Sequence, residues 1–219
     1  MTSGSLGGKA VTLFDFEKFD ATPLQRTPCD YVVVPEFVLP EALARINADF
    51  PMLKEPGNFP LDGLDFGPGF QAFVDAMMGP EVKRHFAAKF DYDLGSFPTQ
   101  MTVRRLMSPH DGNIHNDSRS KKITVLVYFN NEWHQKGGQL RLTKNATDMD
   151  DYYVEVPPVR GTLFAFRRND YSFHGFPRGE GERRSIQMYW VEPKRLDKSK
   201  PTGWKKIARK TVRKVLGLR

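Results

Sequence analysis

"KKITVLVYFN", residues 121–130, is the stretch on which the fold turns. It is a short run of β-branched and aromatic residues closed by asparagine, the composition of a strand that ends in a turn. Five more runs share this texture: "MTVRRLM" (101–107), "GGQLRLT" (137–143), "DYYVEV" (151–156), "GTLFAF" (161–166) and "ERRSIQMYWV" (182–191). Glycine, asparagine and proline punctuate them, and their close spacing predicts an antiparallel sandwich or barrel. Upstream the period changes. "CDYVVVPEFVLPEALARINADFP" (29–51) reads as a strand at 31–34 and then a helix from about Pro40, with Leu43, Ile46 and Phe50 on one side. A second helical region from Gly69 to Phe90 breaks at Gly79 and Pro80, and its Phe70, Phe73, Val74 and Met77 stripe is read as core. The expected class is α+β, mainly β: a double-stranded β-helix, or jelly-roll, core braced by N-terminal helices.

Composition sets the bounds. With 219 residues, 39% of them hydrophobic and 12% aromatic, the chain can bury one sizeable core. A lone cysteine, Cys29, allows no internal disulfide framework, which points to a reducing compartment. The longest apolar run, "ITVLVYF", is too short to cross a bilayer, so a cytoplasmic location is expected. The net charge of +7 is unevenly spread: residues 194–219 hold eleven Lys or Arg and one Asp, leaving the rest mildly acidic. Three segments follow from this: a flexible N-terminal segment (1–28), the jelly-roll domain (29–193) and a basic C-terminal amphipathic helix (194–219).

Between the first two strand runs lies "GNIHNDSRS" (112–120). In extended chain, residues two apart point the same way, so His115 and Asp117 can converge on one point. A catalytic metal needs a further ligand and open positions. His174, in "NDYSFHGFP", follows a strand at the rim of the sheet and supplies it. His85, in a charged helical context, His110, in a loop beside Pro109, and His134, in a polar turn, read as surface residues. Two histidines and a carboxylate form the facial triad of non-haem Fe(II) oxygenases, although Zn(II) or Ni(II) accepts the same ligands. Beyond His174 the chain turns and returns through Arg183 and Arg184, either of which can hold a carboxylate through paired hydrogen bonds. If Ser185 and Gln187 face inward, so does Arg183, while Arg184 faces the other side.

"HND", "KKITVLVYFNNEWHQKGGQLRL", "GTLFAF", "FHGFP" and "ERRSIQMYW" together resemble the 2-oxoglutarate- and Fe(II)-dependent dioxygenases, in particular the prolyl 4-hydroxylase-like branch, over roughly residues 29–192. The resemblance implies that His115, Asp117 and His174 hold Fe(II), that Arg183 pairs with the distal carboxylate of 2-oxoglutarate, and that Ser185 and Tyr128 assist it. Where relatives often carry a tyrosine before the first histidine, this chain has Arg105, expected to contact 2-oxoglutarate or an anionic group of the primary substrate. O2 is the other co-substrate implied, and ascorbate an accessory reductant. Because Asp117 is present, hydroxylation of a C–H bond is favoured over halogenation. The expected substrate is a small molecule, a glycan or a lipid-linked compound; a prolyl-type protein hydroxylase and a jelly-roll binding protein without turnover are the alternatives.

In the tail, Trp204, Ile207, Ala208, Val212, Val215 and Leu216 recur at helical spacing among lysines and arginines. Such a helix over 203–216 either packs on the catalytic domain, or lies on an anionic membrane surface as a peripheral anchor, or, ranked below these, contacts nucleic acid.

Overall fold

The computed structural model describes residues 12–193 of the chain. The first eleven residues of the N-terminal segment and the basic tail, including its membrane or nucleic-acid contacts, lie outside the described residues. The elements are α1 (Phe16–Ala21), β1 (Tyr31–Val34), α2 (Pro40–Ala48), β2 (Phe59–Pro60), α3 (Pro68–Met77), α4 (Pro80–Phe90), β3 (Thr99–Met107), β4 (Lys121–Tyr128), β5 (Leu140–Thr143), β6 (Tyr152–Val156), β7 (Leu163–Arg167), β8 (His174–Gly175) and β9 (Gly181–Val191). Helices α2, α3 and α4 each begin on proline, whose fixed φ suits the first helical turn and whose missing N–H would have had no partner there.

One sheet has six strands in the order β1-β7-β4-β9-β3-β2; the other has three, β6-β5-β8. All the pairings within the two sheets are antiparallel, and the two sheets form the expected jelly roll. Strand alternation sorts the large sheet into two faces. Val125, Val127, Ile186, Met188 and Trp190 turn toward the helices and join Phe70, Phe73 and Phe86 in the main core. Leu126, Tyr128, Phe164 and Phe166 turn the other way and pack with Leu140, Leu142 and Val156 of the small sheet. The site is built on this second face.

Two expectations fail. The flexible segment does not extend to residue 28: α1 is capped by Asp15, whose carboxylate accepts from the Lys18 N–H at 2.9 Å, and Phe19 is fully buried. Phe14 and Phe16 pack with Phe37 at centroid distances of 5.0 and 5.7 Å, which ties this end to the core. Nor is His85 a surface residue. It stacks on Phe16 at 3.9 Å, with Nδ1 hydrogen-bonded to Asp20 at 3.0 Å.

Candidate functional site

Residues 115 and 174 form an isolated antiparallel bridge beside the small sheet, with N–H to O distances of 3.0 and 2.9 Å in the two directions. Directly opposed residues of an antiparallel pair project to the same face, so this bridge brings the two imidazoles together, their centroids 4.4 Å apart. Asp117, two residues on, faces the same way. One ligand atom from each of His115, Asp117 and His174 lies within 4.8 Å of the others.

The side chains are prepared as ligands. Each histidine places Nδ1 on a backbone carbonyl: His115 on Asn113 O at 3.0 Å and His174 on Ser172 O at 2.9 Å. A carbonyl only accepts, so both Nδ1 atoms carry the proton and both Nε2 lone pairs are left for a metal. His174 Nε2 is buried with no hydrogen-bond partner among the described residues. Such an atom is costly unless something coordinates it, and this is the observation that best fits a metal here. Burial also pushes the His174 pKa down to about 4, keeping the ring neutral. For Asp117, burial works to raise the pKa, but Lys121, His174 and the hydrogen bonds from Lys121 and Thr124 outweigh it and hold the carboxyl ionised. Two neutral imidazoles and a carboxylate suit Fe(II).

A consequence for the metal-free protein follows from His174. Its folded pKa lies below the unfolded value, so the unfolded chain binds the extra proton and stability falls as the pH drops through 6.5, levelling off near 4. Urea unfolding should show a loss of about 2 kcal/mol between pH 7.5 and pH 5 from this residue. Under the same conditions His174→Phe should lose that part of the slope; an unchanged slope would mean the ring does not titrate as described.

A cavity of about 260 Å³ opens beside the triad, lined among others by Arg104, Asp111, Leu126, Arg183, Ser185 and Gln187. Arg183 is 2% exposed. Its Nε donates to Gly138 O at 2.7 Å and its Nη2 to the Tyr128 hydroxyl at 3.4 Å, while its guanidinium lies 4.4 Å from the Phe176 ring centroid. All of these hydrogen-bond and ring partners are neutral, and among the described residues the charge of Asp111 acts on the cation without a hydrogen bond to it, so a carboxylate ligand would complete its pairing. Close approach of the Gly138 carbonyl depends on glycine: φ is +84°, and a Cβ would lie 2.5 Å from Trp133. Burial raises the Tyr128 pKa, so its hydroxyl stays protonated.

Strand register decides the facing of each arginine. In β9, Arg183, Ser185 and Gln187 face the cavity; Arg184 turns to the helical side and donates to Asn47 Oδ1 at 3.2 Å. In β3, Arg104 sits opposite Ser185 and therefore shares its face, whereas the next residue cannot. Arg105 is accordingly corrected: it does not line the cavity but pairs with Glu182 at 2.8 Å and touches Met52. Arg104 takes the cavity position, donating to Asp111 at 2.7 Å and to Asn58 at 3.1 Å. His110 is exposed, as expected, and also borders the cavity. Counting back from the first histidine cannot separate residues 104 and 105, because the chain between β3 and the bridge at His115 is not strand and carries no alternation.

Residues 99–192 match the family model described as the 2OG-Fe(II) oxygenase superfamily. The fold is similar to a prolyl-4-hydroxylase from Pseudomonas putida, with a TM-score of 0.53 and 17% identity over 81% of this chain and 96% of that one. A prolyl 4-hydroxylase from Phytophthora capsici gives 0.55 and 15% over 86% and 70%; a 2OG-Fe(II) oxygenase family oxidoreductase from Burkholderia pseudomallei gives 0.51 and 16% over 74% and 84%. No curated protein sequence matches the chain. Among the described residues no helix is long and apolar enough to cross a membrane.

Proposed function

We propose that the chain is a 2-oxoglutarate- and Fe(II)-dependent oxygenase, prolyl 4-hydroxylase-like, that hydroxylates a C–H bond of a small polar molecule; the family model over residues 99–192 and the His115, Asp117 and His174 cluster support this reading. With 2-oxoglutarate and O2, Fe(II) in such a site supplies the oxidising power, and the by-products are succinate and CO2. The residues divide the remaining work. His115, Asp117 and His174 hold the iron with their anchored lone pairs and charge. Arg183 takes the distal carboxylate of 2-oxoglutarate, Tyr128 donates its hydroxyl proton to the same group, and Ser185 lies beside them on the same face.

The choice of a small polar substrate rests on the outer wall of the cavity, where Asn58, Arg104, Asp111, Asn113 and Gln187 converge. A substrate with hydrogen-bonding groups satisfies that wall, and an apolar one would strand it without water. The test is mass spectrometry of the full chain incubated with Fe(II), ascorbate and 2-oxoglutarate against amino acids, sugars, lipid-linked sugars and proline-containing peptides. A gain of one oxygen in a small polar compound supports the reading, and the Arg104→Ala protein should lose that product while keeping uncoupled succinate formation. Product formed only in peptides would favour a protein hydroxylase.

A further inference from the structure

Strand β4 carries a defect with a chemical consequence. Against β9, Lys121 pairs with Val191 but Thr124 pairs with Tyr189, so three steps on one strand match two on the other. In regular alternation, residues 121 and 124 would face opposite sides. The extra residue cancels one alternation, as β-bulges do, and both side chains turn to the site. Lys122 is turned away, reaching Glu192 at 2.6 Å and lying over Phe97. Lys121 Nζ then contacts Asp117 Oδ1 at 2.6 Å, and Thr124 Oγ1 contacts Oδ2 at 2.7 Å. The ammonium also sits 4.3 Å from the Tyr189 ring centroid, held on a second side. The Lys121 side chain is 18% exposed and that of Asp117 only 3%.

We propose that Lys121 is an internal counter-cation for Asp117 that competes with the metal for this carboxylate and thereby sets how tightly the site holds a divalent ion. The inference rests on His115, Asp117 and His174 being the metal ligands. Without metal, the lysine neutralises a buried carboxylate that would otherwise be expensive to keep. With metal, an ammonium and a divalent ion share one carboxylate in a poorly screened site and repel each other. Thr124 holds the other oxygen without adding charge, so Asp117 stays oriented when the lysine is replaced. Lys121 is thus a positioning residue whose charge opposes metal binding while protecting the metal-free fold.

The experiment uses Mn(II) as the probe, with binding followed by titration and stability by thermal unfolding of the full chain. Lys121→Met should bind Mn(II) roughly tenfold more tightly than wild type, melt lower without metal and gain more on adding it, whereas Lys121→Arg should restore wild-type behaviour. Should Lys121→Met fail to fold, Lys121→Gln, which retains polarity, carries the same expectation. Equal or weaker Mn(II) binding by the neutral variants would overturn the competition and leave the lysine a mere orienting contact. Wild-type protein that binds no Mn(II), or a His174→Ala protein that binds it unchanged, would instead overturn the metal site itself.

Discussion

Alanine at position 174 is expected to reduce 2-oxoglutarate turnover to below about one hundredth of wild type, since even partners that only support a metal ligand are worth 10–100-fold. The reason is local. His174 contributes a buried Nε2 that has no hydrogen-bond partner among the described residues, on a ring that burial keeps neutral. Its removal leaves one imidazole and one carboxylate. Succinate formation measured with saturating Fe(II) reads the effect, and circular dichroism shows whether the fold survives. A folded His174→Ala protein that turns over 2-oxoglutarate at the wild-type rate would dismiss this histidine as a ligand.

The second large effect separates two adjacent arginines. Arg183→Ala should weaken 2-oxoglutarate binding by about 2–5 kcal/mol, roughly 30-fold to several-thousand-fold in Kd, because a buried carboxylate would lose its charge-assisted partner. Arg184→Ala should change it less than about twofold. Arg184 points to the opposite face, where it pairs with Glu182 at 2.8 Å and lies over Phe50. Calorimetric titration of 2-oxoglutarate into the Mn(II)-loaded variants distinguishes them. The reverse ranking would mean that the co-substrate enters from the helical face.

Much of this was legible because it depends on simple periods. Alternation along "ERRSIQMYWV" separates Arg183 from Arg184, and the structure places these side chains on opposite faces. Prolines 40, 68 and 80 mark three helix starts, two of which stood out in the sequence. What escaped reading was irregular. One extra residue in β4 turns Lys121 onto Asp117 without any change in composition, and which of the adjacent Arg104 and Arg105 faces the cavity is fixed by the pairing of Arg104 with Ser185 across β3 and β9, not by composition. Burial of α1 and His85 was equally hidden, since it comes from Phe16 stacking across elements that are distant in sequence. The pairing of His115 with His174 is likewise long-range: the sequence names both residues, but only the backbone bridge shows why they meet.

The account stands or falls on whether this chain couples iron to 2-oxoglutarate. Purified full-length protein, stripped of metal and reloaded with one equivalent of Fe(II), should convert carbon-13-labelled 2-oxoglutarate to labelled succinate in air. It should stop when oxygen is removed, and replacing Asp117 with alanine should silence it. Succinate that forms without Fe(II) or O2, or none at all from a folded protein with iron bound, would contradict it.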